Sequence, residues 1–504
     1  MAESDFLLPV DSEHKACIFR PYFFTGVHMR AFHASWMSFF TSFLSTFAPA
    51  ALAPVLREDL NLNKEDLTNA GIAAVTGTIA ARIAMGTVCD TVGPRFGHAF
   101  LMLLSAPAVF SMALVTNPAG YIACRFVIGL SLATFVACQF WSSVMFNVKI
   151  VGTVNATGAG WGNLGGGVTQ IVMPLIFAAI KTSQEPFTAW RYAFFVPGCM
   201  HIMVGTLILT VTQDLPDGTY SALRKKGAMN KVDNKVFWIG AKNYRMWVLT
   251  ITYGYCFGVE LTMNNIVVQY FFDQFDLSLS LSGLLGSMFG LMNIFARSIG
   301  GLTSDWAAKR WGMRGRLWAL WLLQTAEGGL AVVMGLMHNS LGATIVTMVL
   351  FSTFVQSAEG ASYGVVPFVS KRALGIVSGF VGAGGNAGSS VTQAIFFKDS
   401  ELETYEGISF MGVMVIGVTL LVWLVYFPMW GGMFCGPKEG FTEEDYYLGE
   451  YTKEEIAAGM ANASAKFAAE SRSQRGLKAL ATAEEKPGKE VDDTAHAAAV
   501  EGKV

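Results

Sequence analysis

Twelve long stretches of mainly apolar residues constrain this chain more than any other feature of its sequence. About 20 apolar residues in a helix cross the hydrocarbon core of a bilayer, because each residue adds about 1.5 Å. Only 14% of the residues are charged, whereas a soluble domain has about 25%. The sequence therefore predicts an all-α membrane protein with twelve transmembrane helices, at residues 34–56, 69–89, 98–116, 119–146, 152–180, 190–211, 246–270, 280–304, 316–337, 341–366, 373–397 and 407–430.

Polar segments divide the chain between these stretches. They predict an N-terminal segment (1–30), a first six-helix half (31–212), a central loop (213–245), a second six-helix half (246–435) and a tail (436–504). Lys and Arg are concentrated in the loops on the side of the N-terminus, which places both termini and the central loop in the cytoplasm. The tail is polar and rich in Ala, Glu and Lys, so we expect most of it to be disordered.

The two halves repeat each other. The stretch 152–170 aligns with 375–393, and both end in Val-Thr-Gln. A second motif, Arg-x3-Gly-x3-Asp, occurs once in each half, as Arg82, Gly86 and Asp90 and as Arg297, Gly301 and Asp305. The repeat predicts two pseudo-symmetric halves with a substrate site between them, near the middle of the membrane.

The repeated arginines carry the strongest chemical signal. Arg82 and Arg297 each lie within an apolar stretch, where a cation costs roughly 3 kcal/mol unless it faces a polar cavity. Two guanidinium groups present planar pairs of donors that match a flat oxyanion. We therefore predict an anion clamp. Pairing with Asp90 or Asp305, or extension of the side chain to a lipid headgroup, is the alternative.

Other residues could complete this site. Asn163 and Asn386 occupy equivalent positions in the Gly-rich repeats, and a membrane-buried amide needs a partner. Each could donate to a bound oxyanion, although the surrounding glycines are better explained by close helix packing. Phe135 could present its positive ring edge to an anion, or it could be a packing residue.

One loop has a pattern typical of a transporter gate. Residues 86–95 fit G-x3-D-x2-G-x-R, which resembles the loop between helices 2 and 3 of the major facilitator superfamily. The candidate gate residues are Gly86, Asp90, Gly93, Arg95 and, in the second half, Asp305. Arg125-x3-Gly129 resembles another signature of the same superfamily.

The resemblance extends to one family. AGWGNLGGGVTQ (159–170) and GAGGNAGSSVTQ (382–393) look like the paired signatures of the nitrate/nitrite porter family, and LPVDSEHKA, HMRAFH and MRGRLW resemble its eukaryotic high-affinity nitrate transporters. The resemblance implies proton-coupled nitrate uptake at the plasma membrane, often with a small single-span accessory protein. It also implies that Arg82 and Arg297 bind nitrate and that Phe135 contacts the anion, and Asn163 matches a signature asparagine of the family. Gly382 departs from the bacterial pattern, which has Ser.

Proton coupling needs a titratable group that faces the site. Glu260, Glu327 and Glu359 lie within apolar stretches, and we favour Glu260 because it precedes Asn264 by one helical turn. The alternative functions are nitrite uptake, nitrate/nitrite exchange and nitrate sensing without transport. The sequence contains no metal-binding cluster, nucleophile motif or phosphate-binding loop, so we expect neither an enzyme, a cofactor, a metal nor a nucleic-acid partner.

Overall fold

The computed structural model describes residues 6–147, 150–226, 235–398 and 402–477, and these residues are mainly helical. The α-helices are α1 (Val27–Ala51), α2 (Ala53–Asp59), α3 (Lys64–Thr91), α4 (Pro94–Ser111), α5 (Pro118–Gly129), α6 (Thr134–Met145), α7 (Val151–Lys181), α8 (Pro186–Ala193), α9 (Phe195–Val211), α10 (Tyr220–Lys225), α11 (Lys235–Lys242), α12 (Tyr244–Tyr253), α13 (Phe257–Phe275), α14 (Leu279–Leu291), α15 (Ala296–Trp311), α16 (Met313–Leu336), α17 (Leu341–Ser362), α18 (Leu374–Gln393), α19 (Thr404–Thr419), α20 (Glu443–Leu448), α21 (Lys453–Ala457) and α22 (Asn462–Ser471).

Shorter elements join or extend several of these helices. The 3₁₀ segments are Met112–Leu114, Leu130–Ala133, Met292–Ile294, Val366–Phe368, Leu420–Leu424 and Arg472–Arg475, and Ala394–Lys398 is π-helical. The strands β1 (Tyr426–Phe427) and β2 (Gly431–Gly432) form an antiparallel pair, with Tyr426 opposite Gly432. The chain is thus a helical bundle, and the 3₁₀ segments bridge α5 to α6 and α14 to α15.

Within the described residues, nine helical segments are long and apolar enough to cross a membrane, or ten if α1 and α2, bent by 52°, form one span. The predicted spans at 246–270 and 373–397 coincide with α12–α13 and α18, which do not meet that criterion. The first is interrupted after Tyr253, and α18 is rich in Gly and Ser. The chain is therefore a multi-pass membrane protein, and the count of twelve spans stays a prediction.

The two halves contact each other through equivalent helices. α3 packs along α18, and α7 packs along α14 and α15. Because α3 and α15 share one repeated motif, while α7 and α18 share the other, the two contacts are related by the repeat. One close approach is at Gly86, where a Cβ atom would lie 2.5 Å from the carbonyl oxygen of Gly375. The motif glycines therefore let the halves meet backbone to backbone.

The tail and the N-terminal segment lie together on one face of the bundle. Lys466 of α22 donates a hydrogen bond to Ser12, and Gln474 accepts one of 2.7 Å from Arg316. We call the side that carries residues 6–26 and 436–477 the terminal face. The opposite face carries the α2–α3 loop (60–63) and the α13–α14 loop (276–278).

The expectation of a mostly disordered tail is corrected for residues 436–477. Tyr447 and Phe467 are buried, with ring centres 5.0 Å apart, and Phe467 lies 5.9 Å from the ring of Phe368. Arg372 also binds Glu455 at 2.7 Å, and its hydrogen bond lowers the pKa of that carboxyl to about 2. These contacts join distant parts of the chain, so local composition did not predict them. Residues 478–504, and residues 227–234 of the central loop, lie outside the described residues.

Candidate functional site

The two repeated arginines meet at the centre of the molecule, between the halves. Arg82 of α3 and Arg297 of α15 are only 0% and 1% exposed. Both guanidinium groups face the same two rings: Arg82 lies 4.8 Å from the centres of Phe135 and Phe257, and Arg297 lies 5.6 and 5.8 Å from them. The alternative of side chains that extend into lipid is therefore excluded for this structure.

Arg82 is held by neutral oxygen atoms. Its Nε and Nη2 donate to the carbonyl oxygen of Leu132 at 3.3 and 3.2 Å, and its Nη1 donates to that of Gly382 at 2.5 Å. Leu132 belongs to the 3₁₀ segment between α5 and α6, whereas Gly382 belongs to α18 of the other half. No carboxylate of the described residues forms an ion pair with Arg82. Its positive charge is therefore left without a counter-ion within ion-pairing distance.

Arg297 is held by acidic and phenolic groups instead. Its Nη1 pairs with the carboxylate of Glu359 and lies 3.9 Å from Oε2 of Glu260. Its Nη2 donates to the Tyr253 hydroxyl at 2.6 Å. All four side chains are almost completely buried. The predicted alternative of pairing with Asp305 is wrong for this structure, because the acidic partners come from α13 and α17.

Two asparagines fix the acidic side of this centre. Asn163 of α7 donates to Glu260 at 2.8 Å and to Glu359 at 3.4 Å, and Asn293 donates to Glu260 at 2.6 Å. The amide of Asn163 thus bridges the carboxylates of the other half rather than facing an arginine. Its Oδ1 is buried without a hydrogen-bond partner among the described residues.

Phe135 is the central residue of an aromatic cluster between the arginines. Its ring stacks 5.5 Å from Phe257 and 6.2 Å from Tyr253, and meets Tyr363 edge to face at 5.3 Å. Phe257, Tyr253 and Tyr363 were not among the residues predicted for the site. For two of these rings the signal is local, since Tyr253, Phe257 and Glu260 recur at helical spacing within the predicted span 246–270.

Asn386, the second asparagine predicted for the site, lies on the same face of α18 as Gly382. A Cβ atom on Gly382 would lie 3.3 Å from the Phe135 ring and 3.5 Å from Cδ of Arg82, so this face points to the centre. Asn386 is one turn further and therefore on the same face. Both polar atoms of its amide are buried without hydrogen-bond partners among the described residues. An unpaired buried amide can accept a ligand or water.

The predicted gate residues separate into two groups on the terminal face. In the first group, Asp90 lies against the first turn of α18, where a Cβ on Gly375 would be 2.7 Å from its carboxylate. Asp305 lies equivalently against Gly152 of α7, at 3.3 Å, and accepts a 2.6 Å hydrogen bond from Arg316. Each acid thus contacts the start of a helix from the other half, where a negative charge is stabilised.

The second group joins elements within the first half. Gly93 has a φ of +105° and caps α4, a conformation that residues with a side chain rarely adopt. The backbone N–H of Arg95 donates to Asp214 at 3.1 Å, and its guanidinium binds the carbonyl oxygen of Leu209 at the end of α9. Arg95 therefore fastens α4 to α9. No hydrogen bond joins it to Asp90 among the described contacts.

Comparisons with known proteins agree with this architecture. The model of the Major Facilitator Superfamily matches residues 35–393. In overall shape, the chain resembles the proton:xylose symporter XylE, with a TM-score of 0.58, 14% identity, and coverage of 79% of this chain and 95% of that one. At this identity the likeness shows the fold alone.

Two similar sequences belong to named transporters. The chain is 53% identical to Nitrate transporter 2.1 of Chlamydomonas reinhardtii over 93% of this chain and 87% of that protein. It is 52% identical to High affinity nitrate transporter 2.5 of Arabidopsis thaliana, over 94% of each. These relatives are transport proteins rather than enzymes. The chain therefore belongs to the major facilitator superfamily and, within it, to the family of eukaryotic high-affinity nitrate transporters.

Proposed function

We propose that this protein carries nitrate across the plasma membrane together with protons, by alternating access to a central site between Arg82 and Arg297. The names of its relatives support nitrate as the substrate. The central residues support proton coupling, because the carboxylates of Glu359 and Glu260 lie against Arg297. We infer that the terminal face is cytoplasmic, since Lys and Arg are concentrated in its loops.

The observation that carries the proposal is the buried contact between Arg297 and Glu359. An anion that binds Arg297 must replace this carboxylate, and an ionised Glu359 left unpaired in a buried site would cost several kcal/mol. A proton on Glu359 removes that cost, because the neutral acid no longer competes for the guanidinium. Nitrate and a proton therefore favour each other at the same site.

The charges of the centre lead to the same conclusion. Arg82 and Arg297 contribute two positive charges, and Glu260 and Glu359 contribute two negative charges when both are ionised. The empty site is then neutral. Binding of nitrate alone would give it a net charge of minus one in a buried environment, whereas nitrate with one proton leaves it neutral. The pair of carboxylates, with Glu359 directly on Arg297, is thus our proposed proton site.

The rest of the clamp suits a small planar anion. Each guanidinium can offer a forked pair of N–H donors, and Phe135 closes the space between the two groups. The Asn386 amide, on the same face of α18 as Gly382, has no hydrogen-bond partner among the described residues. Nitrite has the same charge and is also planar, so it is the second candidate substrate of this site.

The membrane potential explains why nitrate uptake needs protons. A monovalent anion that enters a cell against an inside-negative potential loses about 2.3 kcal/mol per 100 mV. One proton makes the cycle electroneutral, and two protons would let the potential drive uptake. Alternating access would open the terminal face by separating Asp90 and Asp305 from the helices α18 and α7. We also propose a single-span accessory protein as a partner, on the resemblance to eukaryotic members.

Expression in oocytes tests this proposal. With the membrane potential clamped, nitrate should evoke a pH-dependent uptake that increases as the external medium becomes more acidic. The measurement should be repeated with nitrite and with a co-expressed accessory protein. Nitrate binding without uptake under any of these conditions would favour a sensor and contradict a transporter.

A further inference from the structure

A separate cavity, with both polar and apolar walls, opens on the opposite face of the molecule. Its volume is about 180 Å³, and both halves contribute to its walls. One water molecule occupies about 30 Å³ of liquid, so the cavity has room for a small ion with part of its hydration shell. Among its lining residues are Arg125 of α5, Asn265 of α13 and Gln393 of α18.

Arg125 is the buried charge of this cavity. It is only 2% exposed, and it donates to the carbonyl oxygen of Thr46 and, at 2.7 Å, to Oδ1 of Asn265. Its Nε is buried without a hydrogen-bond partner among the described residues, and none of their carboxylates pairs with it. A buried cation without a counter-ion is costly. The site therefore favours an anion.

The other charges on the cavity wall reinforce this preference. Arg57 and Asp273 both line it and neutralise each other through an ion pair of 3.3 Å. Lys64, which also lines the cavity, has no ion pair with the acids of the described residues. Arg125 and Lys64 thus leave the walls with an excess of positive charge. A cleft lined by one sign of charge concentrates the opposite ion.

The cavity and the central clamp lie along the same helical segment of the first half. Leu132, whose carbonyl oxygen binds Arg82, follows Arg125 by seven residues along α5 and its 3₁₀ extension. At about 1.5 Å per residue this separation is about 10 Å along the helix axis. An anion at Arg125 would therefore be one short step from Arg82, on the side away from the Asp90 and Asp305 contacts.

We propose that this cavity is an outer binding site for a small monovalent anion, nitrate, in which Arg125 is the binding residue and Asn265 holds its guanidinium in place. The identity of the anion rests on the proposed function. The site gives a role to the Arg125-x3-Gly129 motif, which the central clamp does not use. Its occupant would wait there before it reaches Arg82.

Protection of a reporter cysteine tests the outer site without requiring transport. Thr68 lines the cavity and is close to Cys in size. We would introduce Thr68→Cys into a protein that also carries Arg82→Lys, which disables the central clamp. The rate of modification by a membrane-impermeant thiol reagent would be measured with nitrate or with gluconate at the same ionic strength. The Arg82→Lys protein without Thr68→Cys gives the background.

Nitrate should slow the modification, and two further variants should remove this protection. Asn265→Asp keeps the shape of the side chain but gives Arg125 a permanent counter-ion, and Arg125→Gln removes the charge. Unchanged modification in the presence of nitrate would overturn the outer site. Protection that persists in Asn265→Asp would overturn the role of Arg125, even if Arg125→Gln failed to reach the membrane. Transport that survives Arg82→Lys would contradict the clamp and not this site.

Transport kinetics in an otherwise unchanged protein separate binding from stability. Arg125→Gln should raise the KM for nitrate by about tenfold, at the low end of the effect of a charged cleft on capture. The maximal rate per transporter at the surface should change much less. A fall in the maximal rate with an unchanged KM would show that Arg125 only supports the fold and would overturn the proposal.

Discussion

The two arginines of the central site occupy equivalent positions in the repeat but have different partners. Arg82 is bound by carbonyl oxygens of Leu132 and Gly382, whereas Arg297 is bound by Glu359 and Tyr253. A symmetric pair would bind an anion without reference to pH. The difference suggests that the first half supplies a permanent positive charge, while the second supplies one that becomes available when an acid is protonated.

Replacement of either arginine should have the largest effect. Arg82→Lys and Arg297→Lys should each lower nitrate uptake by about 100-fold or more, since an ammonium group lacks the planar fork and loses charge-assisted hydrogen bonds worth about 1.5–3 kcal/mol each. Initial uptake of labelled nitrate, corrected for surface protein, measures this loss. Arg30→Lys, at an exposed position on α1, is the matched control. Normal transport by both variants would disprove the clamp.

Both arginines could be selected from the sequence because the repeat marks them and an intramembrane charge is rare. Their partners could not. Glu359 lies 62 residues from Arg297, and only the packing of α15 against α17 brings them together. Glu260 was preferred for its local spacing to Asn264, yet its observed hydrogen-bond partners are Asn163 and Asn293. The fold was likewise predictable where it is encoded locally and not where it depends on contacts between residues distant in sequence.

Apolar periodicity predicted the long helices, because a membrane span is encoded locally. The order of residues 436–477 depends on Tyr447 and Phe467, which pack with each other and near residues far away in sequence. The prediction of disorder considered only composition. Likewise, the span at 246–270 was predicted as one helix, whereas the structure divides it into α12 and α13 after Tyr253.

Neutralisation of the acid on Arg297 should remove the difference between the two arginines. We expect Glu359→Gln to abolish uphill accumulation of nitrate driven by a pH gradient, because Arg297 then needs no proton to become available. Downhill nitrate exchange should persist. Proteoliposomes with and without a pH gradient distinguish the two activities.

Glu327→Gln is the matched control, since Glu327 is also buried in this half but forms no ion pair with Arg297 among the described residues. If Glu327→Gln lost accumulation and Glu359→Gln retained it, the proton site would belong to α16.

The second acid should have a smaller effect. Asn163 donates to both Glu260 and Glu359, so the two carboxylates lie close together and repel each other when both are ionised. A proton on the pair relieves this repulsion. In Glu260→Gln, uptake should need a more acidic medium, with the half-maximal pH lowered by about one unit for a lost interaction of about 1.4 kcal/mol. The pH profile of uptake measures this shift. A complete loss of pH dependence would instead make Glu260 the main proton carrier.

The smallest expected effect concerns the Arg82 side. In Gly382→Ala, the added Cβ would lie 3.3 Å from the Phe135 ring and would crowd the space between the ring and Arg82. We expect the KM for nitrate to rise a few-fold at every pH, because no carboxylate of the described residues pairs with Arg82. A change in the pH profile, determined alongside the KM, would contradict the separate roles of the two arginines.

The exchange of Glu359 for nitrate on Arg297 can be tested most directly by proton counting. Nitrate would be added to the purified protein in weakly buffered detergent solution, and a pH indicator would record the protons taken up. We predict about one proton per nitrate bound in the unchanged protein and none in Glu359→Gln at equal nitrate occupancy. Nitrate binding without proton uptake in the unchanged protein would contradict the competition on which the proposed coupling depends.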